Sequence, residues 1–387
     1  MSHTVSHTDL YDIPQELLEV RELVRRLARE QIAPRAADSD RSAEYPWDVR
    51  RLLAKHDVLA LPFEPEYGGT GTGTGTVMLQ MVVEEIAKVC VSSALILMVQ
   101  ELGSLPVSLF GSPKLKAEWL QRFATGELAP PFALSEPEAG SDPAAMRTTA
   151  VRDGDEWVLS GAKNWISNAG IADVYVVFAK TDRDAGRSSA FLVEADRVRF
   201  SIGNVEHKLG IKGSPTGSPV LEDVRVPNGN LIGAEGNGLS VALGTLDRTR
   251  LGAAAQAVGI AQAQPTTRTR TPRSASRSGS RSTNSRGSRS SSPTWRPARR
   301  PPASCCTRRA RSSTVARPGV GKYTSMANLF ASDNAMRVTV EAVPVLGGYG
   351  YVNDYPFERM MRDAKITQIY EGTNEIQRLV IARAMAR

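Results

Sequence analysis

Apolar residues recur at three- and four-residue steps between residues 14 and 33, at Leu17, Leu18, Val20, Leu23, Val24 and Leu27, with glutamate and arginine between them. That spacing lines up one apolar stripe and predicts an amphipathic helix. The same reading predicts helices over 47–58, 76–90, 93–110 and 113–124. They are separated by PEYGGTGTGTG, by a candidate cap at Ser92 or Ser93, and by Gly-Ser-Pro.

After about residue 130 the pattern changes to short runs rich in β-branched and aromatic residues: EWVLSGAK, VYVVFAK, SAFLVEA, VRFSI and SPVLEDVRVP. Alternating with Asp, Gly and Pro turns, they predict an antiparallel β-domain. Helical spacing returns from Gly238 in GLSVALGTLDRTRLGAAAQAVGIAQ, and again in SMANLFASDNAMRVTVEAV and NEIQRLVIARAMAR. Strands and helices do not alternate, which excludes a Rossmann module. The expected organisation is a helical domain over 1–128, a β-domain over 129–234 and a second helical domain over 235–387.

Composition changes this picture at one place. The 387-residue chain carries a formal charge of +7, which by itself suggests an anionic partner. Residues 264–318, however, hold fourteen arginines and no Asp, Glu or Lys; taking those fourteen from +7 leaves the rest of the chain at −7. An acidic protein surrounds one basic segment. Cys305 and Cys306 lie in that segment and only Cys90 lies elsewhere, so no disulfide framework or metal spacing can be built. His3, His7, His56 and His207 are scattered, and no metal site is expected. No signal-peptide pattern or run of about 20 apolar residues stands out, and a cytoplasmic protein with no membrane partner is expected. The TGTGTG run lacks a preceding strand and a following GK[ST], so it reads as a solvated loop rather than a phosphate cradle.

Several polar motifs are unremarkable singly and specific together. In order along the chain they are ALSEPEAGSD (133–142), KNWISNAG (163–170), KLGIKGSPTG (208–217), LDRTR (246–250), GGYGY (347–351) and RDAKITQIYEGTNEIQR (362–378). The series resembles the acyl-CoA dehydrogenase family over nearly the whole chain except about 264–318. The resemblance implies an α+β fold: an N-terminal helical domain, a middle antiparallel β-domain and a C-terminal domain of four-helix-bundle type, disrupted at 264–318. It also implies FAD as cofactor, an acyl-CoA substrate, an electron-transfer flavoprotein as electron acceptor, and a homotetramer in an intact form. The implied reaction makes a trans-2-enoyl-CoA: a base removes the α-proton and the β-hydrogen leaves as hydride to flavin N5.

An α-proton beside a thioester is weakly acidic, so the base needs a pKa near working pH, and a carboxylate near about 4.3 must be raised by apolar burial. Glu371, in IYEGT just before a helix begun by Thr373, matches the family base. Seen alone, it would be a favourable charge at a helix start. The family's alternative base position is Thr249 here, which cannot serve. By the same resemblance, the Glu371 backbone amide polarises the thioester carbonyl. Phe132, Leu134 and Ser135 map to the pyrimidine side of the flavin, and Ser141 to cofactor and substrate. Trp165 and Ser167 map beside the ring system, Gly347 and Gly348 to the pyrophosphate, and Thr373 and Glu375 to further cofactor contacts. Asp247, Arg250 and Gly372 map to the substrate pocket. Alone, Trp165 would read as core and Asp247–Arg250 as an exposed helical ion pair. One departure is Pro344, where the family usually has glutamine; a donor is lost and a helix end stiffened. The stretch 92–104 holds no Arg or Lys, which disfavours a dicarboxylic acyl group.

The segment 264–318 replaces two family helices that contact FAD. It contains no Leu, Ile, Met or Phe, so neither helix could bury a face, and a disordered segment is expected. A one-base frame shift is the hypothesis that would explain it: with synonymous codons chosen to fit, back-reading 273–295 one base over gives KERESFGKPIDEFQGVAFKLADM, with Ala275 where, by the resemblance, a flavin-contacting arginine belongs and Arg286 where a glutamine belongs. The alternative is a nucleic-acid-binding arm on a former enzyme. With Trp295 as its only aromatic residue, the segment offers little for base stacking, and a nucleic-acid partner is not expected.

Overall fold

The computed structural model describes residues 13–70, 75–264, 276–277, 280–281 and 320–386. The first apolar stripe forms α1 (Gln15–Leu27), which buries Leu17, Val24 and Leu27. The single helix expected to residue 33 is instead interrupted by a π-turn at Ala28–Ile32 and a 3-10 turn at Ala33–Arg35, before α2 (Ala36–Ser42). Pro34, with no N–H to give, lies at that break. The N-terminal region continues with α3 (Trp47–Lys55), α4 (Gly75–Ala87), α5 (Val91–Phe110) and α6 (Pro113–Ala124). The TGTGTG loop falls largely outside the described residues.

Local signals set some of these ends and packing sets others. Ser112 caps α6, its hydroxyl accepting the Leu115 N–H at 3.2 Å. Ser92 and Ser93, expected as caps, lie instead inside α5, which starts after Cys90 without a side-chain cap. Burial of Val91 and Ala94 in the helical core extends the helix upstream. By length and composition, α5 is apolar enough to cross a membrane, a property the sequence pattern did not single out. Its 20 residues average a hydropathy of 1.5 over the most apolar window, and 72% of that window is buried inside the protein.

The β-domain is one nine-stranded sheet. Its strands are β1 (Phe132–Ala133), β2 (Thr149–Asp153), β3 (Glu156–Ala162), β4 (Ile166–Ser167), β5 (Val174–Asp182), β6 (Arg187–Glu194), β7 (Phe200–Val205), β8 (Thr216–Pro227) and β9 (Leu231–Ile232). The path runs β4-β8-β3-β2-β5-β6-β9, with β1 added to β5 and β7 to β8. Pairing is antiparallel except where β1 and one residue of β2 lie parallel to β5. The apolar run VYVVFA in β5 has no polar face because both its faces are covered. Val174, Val176 and Phe178 join a core with α6, while Tyr175, Val177 and Ala179 join a second core on the opposite face.

The C-terminal region contains α7 (Gly238–Ala263), α8 (Val320–Leu346), the short α9 (Gly348–Tyr351), α10 (Pro356–Ile366) and α11 (Asn374–Met385). Alanines four residues apart on α8, Ala327, Ala331 and Ala335, are buried in the core shared with α7, where small side chains permit close approach. The expected disorder and the frame-shift reading of 264–318 fall almost wholly outside the described residues. Within that span, Ser276–Arg277 pairs with Ser280–Arg281 as two short antiparallel strands, and Gln264 is buried.

Candidate functional site

The turn between α10 and α11 is built around two consecutive left-handed residues, Glu371 at φ 59° and Gly372 at φ 90°. Such a φ is uncommon for a residue with a side chain and is held here by its surroundings. The Glu371 carbonyl accepts two hydrogen bonds, from Arg250 Nε and Gln377 Nε2, each at 3.0 Å. Gln377 Nε2 also reaches the Gly372 carbonyl at 2.8 Å. Thr373 then caps α11, its hydroxyl accepting the Ile376 N–H at 3.4 Å.

This backbone aims the Glu371 carboxyl at α7, where Thr249 Oγ1 donates to Oε2 at 2.9 Å. Burial drives the Glu371 pKa up to about 7, against the Thr249 hydrogen bond and the Arg250 charge, which pull it down. Among the described residues its N–H has no hydrogen-bond partner. A buried carboxyl poised near neutrality therefore lies beside a free backbone donor.

Arg250 is buried, and its Nη1 donates to Asp247 Oδ1 at 2.9 Å. The pair is therefore not the exposed helical ion pair that its spacing alone suggests. One end of the guanidinium holds Asp247 while Nε anchors the turn of Glu371. Burial raises the Asp247 pKa despite the pull of Arg250.

The other motif residues gather along the sheet edge and its loops. Phe132 in β1 packs on Phe178 with ring centroids 4.8 Å apart, and Leu134 is buried. The loop bearing Ser135 and Ser141 is tied to the KNWIS segment by the Asn164 N–H, which donates to the Ser135 carbonyl at 2.9 Å. Ser141 is exposed. Trp165 is 58% exposed at φ 62°, which sets aside the core reading of this tryptophan and leaves an aromatic face to solvent. Ser167 in β4 pairs with Thr216 in β8. Among the described residues no atom lies within 4 Å of where a Cβ would stand on Gly347, at φ 61°, or on Gly348, so an extended ligand can approach their backbone. Pro344 lies inside α8, and the Gly347 N–H donates to its carbonyl at 3.1 Å. Glu375 is exposed, with Arg378 3.6 Å away.

Three supporting groups were not singled out by the sequence. Lys163 is fully buried, with Nζ 2.7 Å from Glu136 Oε1 and 3.3 Å from the Leu134 carbonyl, and so clamps the two loops that carry Ser135 and Trp165. Burial raises the Glu136 pKa, but the Lys163 charge and the Arg147 and Thr148 backbone donors outweigh it and hold the carboxyl below its usual range. Asp363 accepts the Ile211 N–H at 2.6 Å, docking the 208–217 loop on α10; burial raises its pKa to about 6. Glu101 of α5 is buried close enough to Glu371 to feel its charge. Lys163 and Asp363 stand inside motifs, so their positions were legible, but a buried role is not visible in one dimension. Glu101 is the one charged residue in an otherwise uncharged helical run, a signal that was available.

Comparison with known proteins identifies the whole architecture. Residues 14–127, 131–224 and 236–386 match, respectively, the N-terminal, middle and C-terminal domains of acyl-CoA dehydrogenase. The chain is 42% identical over 385 residues to the "Probable acyl-CoA dehydrogenase FadE25" of Mycobacterium tuberculosis, covering 98% of this chain and 97% of that one. The butyryl-CoA dehydrogenase structure from Megasphaera elsdenii superposes with a TM-score of 0.91 at 34% identity, covering 97% of this chain and 100% of that chain. A glutaryl-CoA dehydrogenase from Mycobacterium smegmatis, solved in complex with FADH2, superposes with a TM-score of 0.87 at 27% identity, covering 98% and 96%.

Proposed function

We propose that this chain, which belongs to the FAD-dependent acyl-CoA dehydrogenase family, removes the α-proton and β-hydrogen of an acyl-CoA thioester with Glu371 as the base, giving the trans-2-enoyl-CoA. The observation that carries the reading is the buried Glu371 carboxyl, raised to about 7 and hydrogen-bonded to Thr249 at 2.9 Å. At neutral pH a large fraction of it is ionised and able to take a proton, and its raised pKa narrows the gap to the weakly acidic α-carbon. Negative charge then gathers on the thioester oxygen, and the Glu371 N–H, free of other partners among the described residues, is a donor suited to it. Arg250 and Gln377 fix the direction of that amide by holding the carbonyl of the same residue. Asp247 is held by Arg250 at the mouth of this turn, and Gly372 lets the backbone pass close to a substrate.

The residues present fit FAD. Trp165 offers an exposed ring, Ser141 an exposed hydroxyl, and Gly347–Gly348 an unobstructed backbone. In this reading Phe132, Leu134, Ser135, Ser141, Trp165 and Ser167 hold the ring system, Gly347 and Gly348 the pyrophosphate, and Thr373 and Glu375 make further contacts. Bound FAD supplies the acceptor for the two electrons that leave with the β-hydrogen. An electron-transfer flavoprotein then receives them, and the enzyme works in the cytoplasm as a homotetramer.

The test is acyl-CoA-dependent bleaching of protein-bound FAD. Glu371→Gln is expected to abolish bleaching while leaving acyl-CoA binding intact; turnover retained in that variant overturns the base assignment.

A further inference from the structure

Two polar side chains near the base have no part in the chemistry above. Helices α5 and α7 run antiparallel: Gln256 Nε2 donates to the Val91 carbonyl at 3.0 Å, and a Cβ at Gly252 would lie 3.2 Å from Met98 Cγ. One turn from Met98 toward the C-terminus of α5 is Glu101, and one turn from Gly252 toward the N-terminus of α7 is Thr249. Glu101 thus lies at the level of Thr249, whose hydroxyl holds the Glu371 carboxylate. From α4, Gln80 lies one turn away, its Oε1 3.7 Å from the Cβ position of Gly252, and its amide is near enough to act on Glu101.

Both side chains are buried, Gln80 at 3% and Glu101 at 4% exposure. Among the described residues neither Nε2 nor Oε1 of Gln80 makes a well-formed hydrogen bond, although its amide lies near enough to Glu101 to favour that carboxylate. An amide left unpaired in such surroundings costs about 1–3 kcal/mol, which a purely structural role does not explain. Burial and the Glu371 charge push Glu101 up to about 8, against the nearby Gln80 amide and Arg248, so its carboxyl is largely protonated at neutral pH and can donate. The two side chains therefore stand beside the place where Glu371 would meet a substrate's α-carbon.

We propose that Gln80 and Glu101 are specificity-determining residues that hydrogen-bond a hydroxyl on the acyl chain, so that a hydroxyacyl-CoA is preferred over its plain alkyl counterpart. The inference rests on the acyl-CoA dehydrogenase reading of the Glu371 site. A hydroxyl is both donor and acceptor, and here it meets the Glu101 O–H and the Gln80 carbonyl oxygen together. An alkyl chain of the same length offers neither a donor to the Gln80 carbonyl oxygen nor an acceptor to the Glu101 O–H.

Calorimetric titration of the purified full chain with ω-hydroxyacyl-CoAs of increasing length and their alkyl counterparts tests this without requiring turnover. At one chain length the hydroxyacyl-CoA is expected to bind about tenfold or more tightly than the alkyl form. Gln80→Leu and Glu101→Met are expected to remove that preference. Glu101→Gln, nearly isosteric and still a donor, is expected to keep most of it and guards against misfolding of the harsher variants. Equal or tighter alkyl binding at every length, or a preference that survives both Gln80→Leu and Glu101→Met, overturns the proposal. Failure of both series to bind would instead overturn the acyl-CoA reading itself, and this inference with it.

Discussion

The Thr249 hydroxyl donates to the Glu371 carboxylate at 2.9 Å, joining α7 to a turn 122 positions further along the chain. The bond favours the ionised base, while burial opposes it. Thr249→Val removes the donor and keeps the shape. The pH–rate profile of α-proton abstraction, which should rise through about 7 in the parent, is expected to move upward by roughly one unit. An unmoved profile would show that the hydroxyl does not tune the base.

Linkage supplies a second check. Burial raises Glu371 from its ordinary 4.5 to about 7, so its contribution to stability is complete below the unfolded value and is lost as pH rises through about 7. Glu371→Gln should therefore unfold at higher denaturant than the parent at alkaline pH, by about 3 kcal/mol at most, with little difference at about pH 4. Urea titrations at the two pH values measure it.

Arg250 serves both Asp247 and the Glu371 carbonyl. Arg250→Lys keeps the charge but cannot hold both partners in the same planar geometry. We expect kcat/KM to fall by about 10²-fold, given how steeply rate follows misplacement of a reacting group. Steady-state kinetics with an artificial electron acceptor would reveal it.

The Lys163–Glu136 pair is buried at both ends, with side-chain exposures of 0% and 5%. Lys163→Met strands the carboxylate and is expected to cost about 3–5 kcal/mol. Glu136→Gln combined with Lys163→Met should recover part of that loss. Trp165 offers the contrast: Trp165→Ala, at an exposed site, should change stability by within about 0.5 kcal/mol yet weaken retention of FAD. Equilibrium unfolding and flavin absorbance separate the two effects.

Replacement of residues 273–295 by KERESFGKPIDEFQGVAFKLADM addresses the basic segment. The parent chain is expected to retain FAD poorly, and the replacement to raise flavin occupancy on purification. Unchanged occupancy would count against the frame-shift reading, as would a gene sequence that encodes the arginine–serine run without a shift.

Sequence alone determined the order of helices, sheet and helices, because apolar periods of 3.6 and 2 are set by where side chains leave the backbone. It also placed Glu371 in a motif and isolated the basic segment by composition. Three things belonged to the tertiary structure. It decided that Ser92 and Ser93 are helix interior rather than caps, because burial of Val91 and Ala94 outweighs a local hydroxyl signal. It decided that Trp165 is exposed and that Lys163, two residues earlier, is buried against Glu136. It brought Thr249, Arg250 and Gln377 onto one turn and buried Glu101 within reach of the Glu371 charge, with the Gln80 amide near it. Such groups meet only when distant helices pack, and the low dielectric that raises a carboxyl toward neutrality exists only once that packing has excluded water.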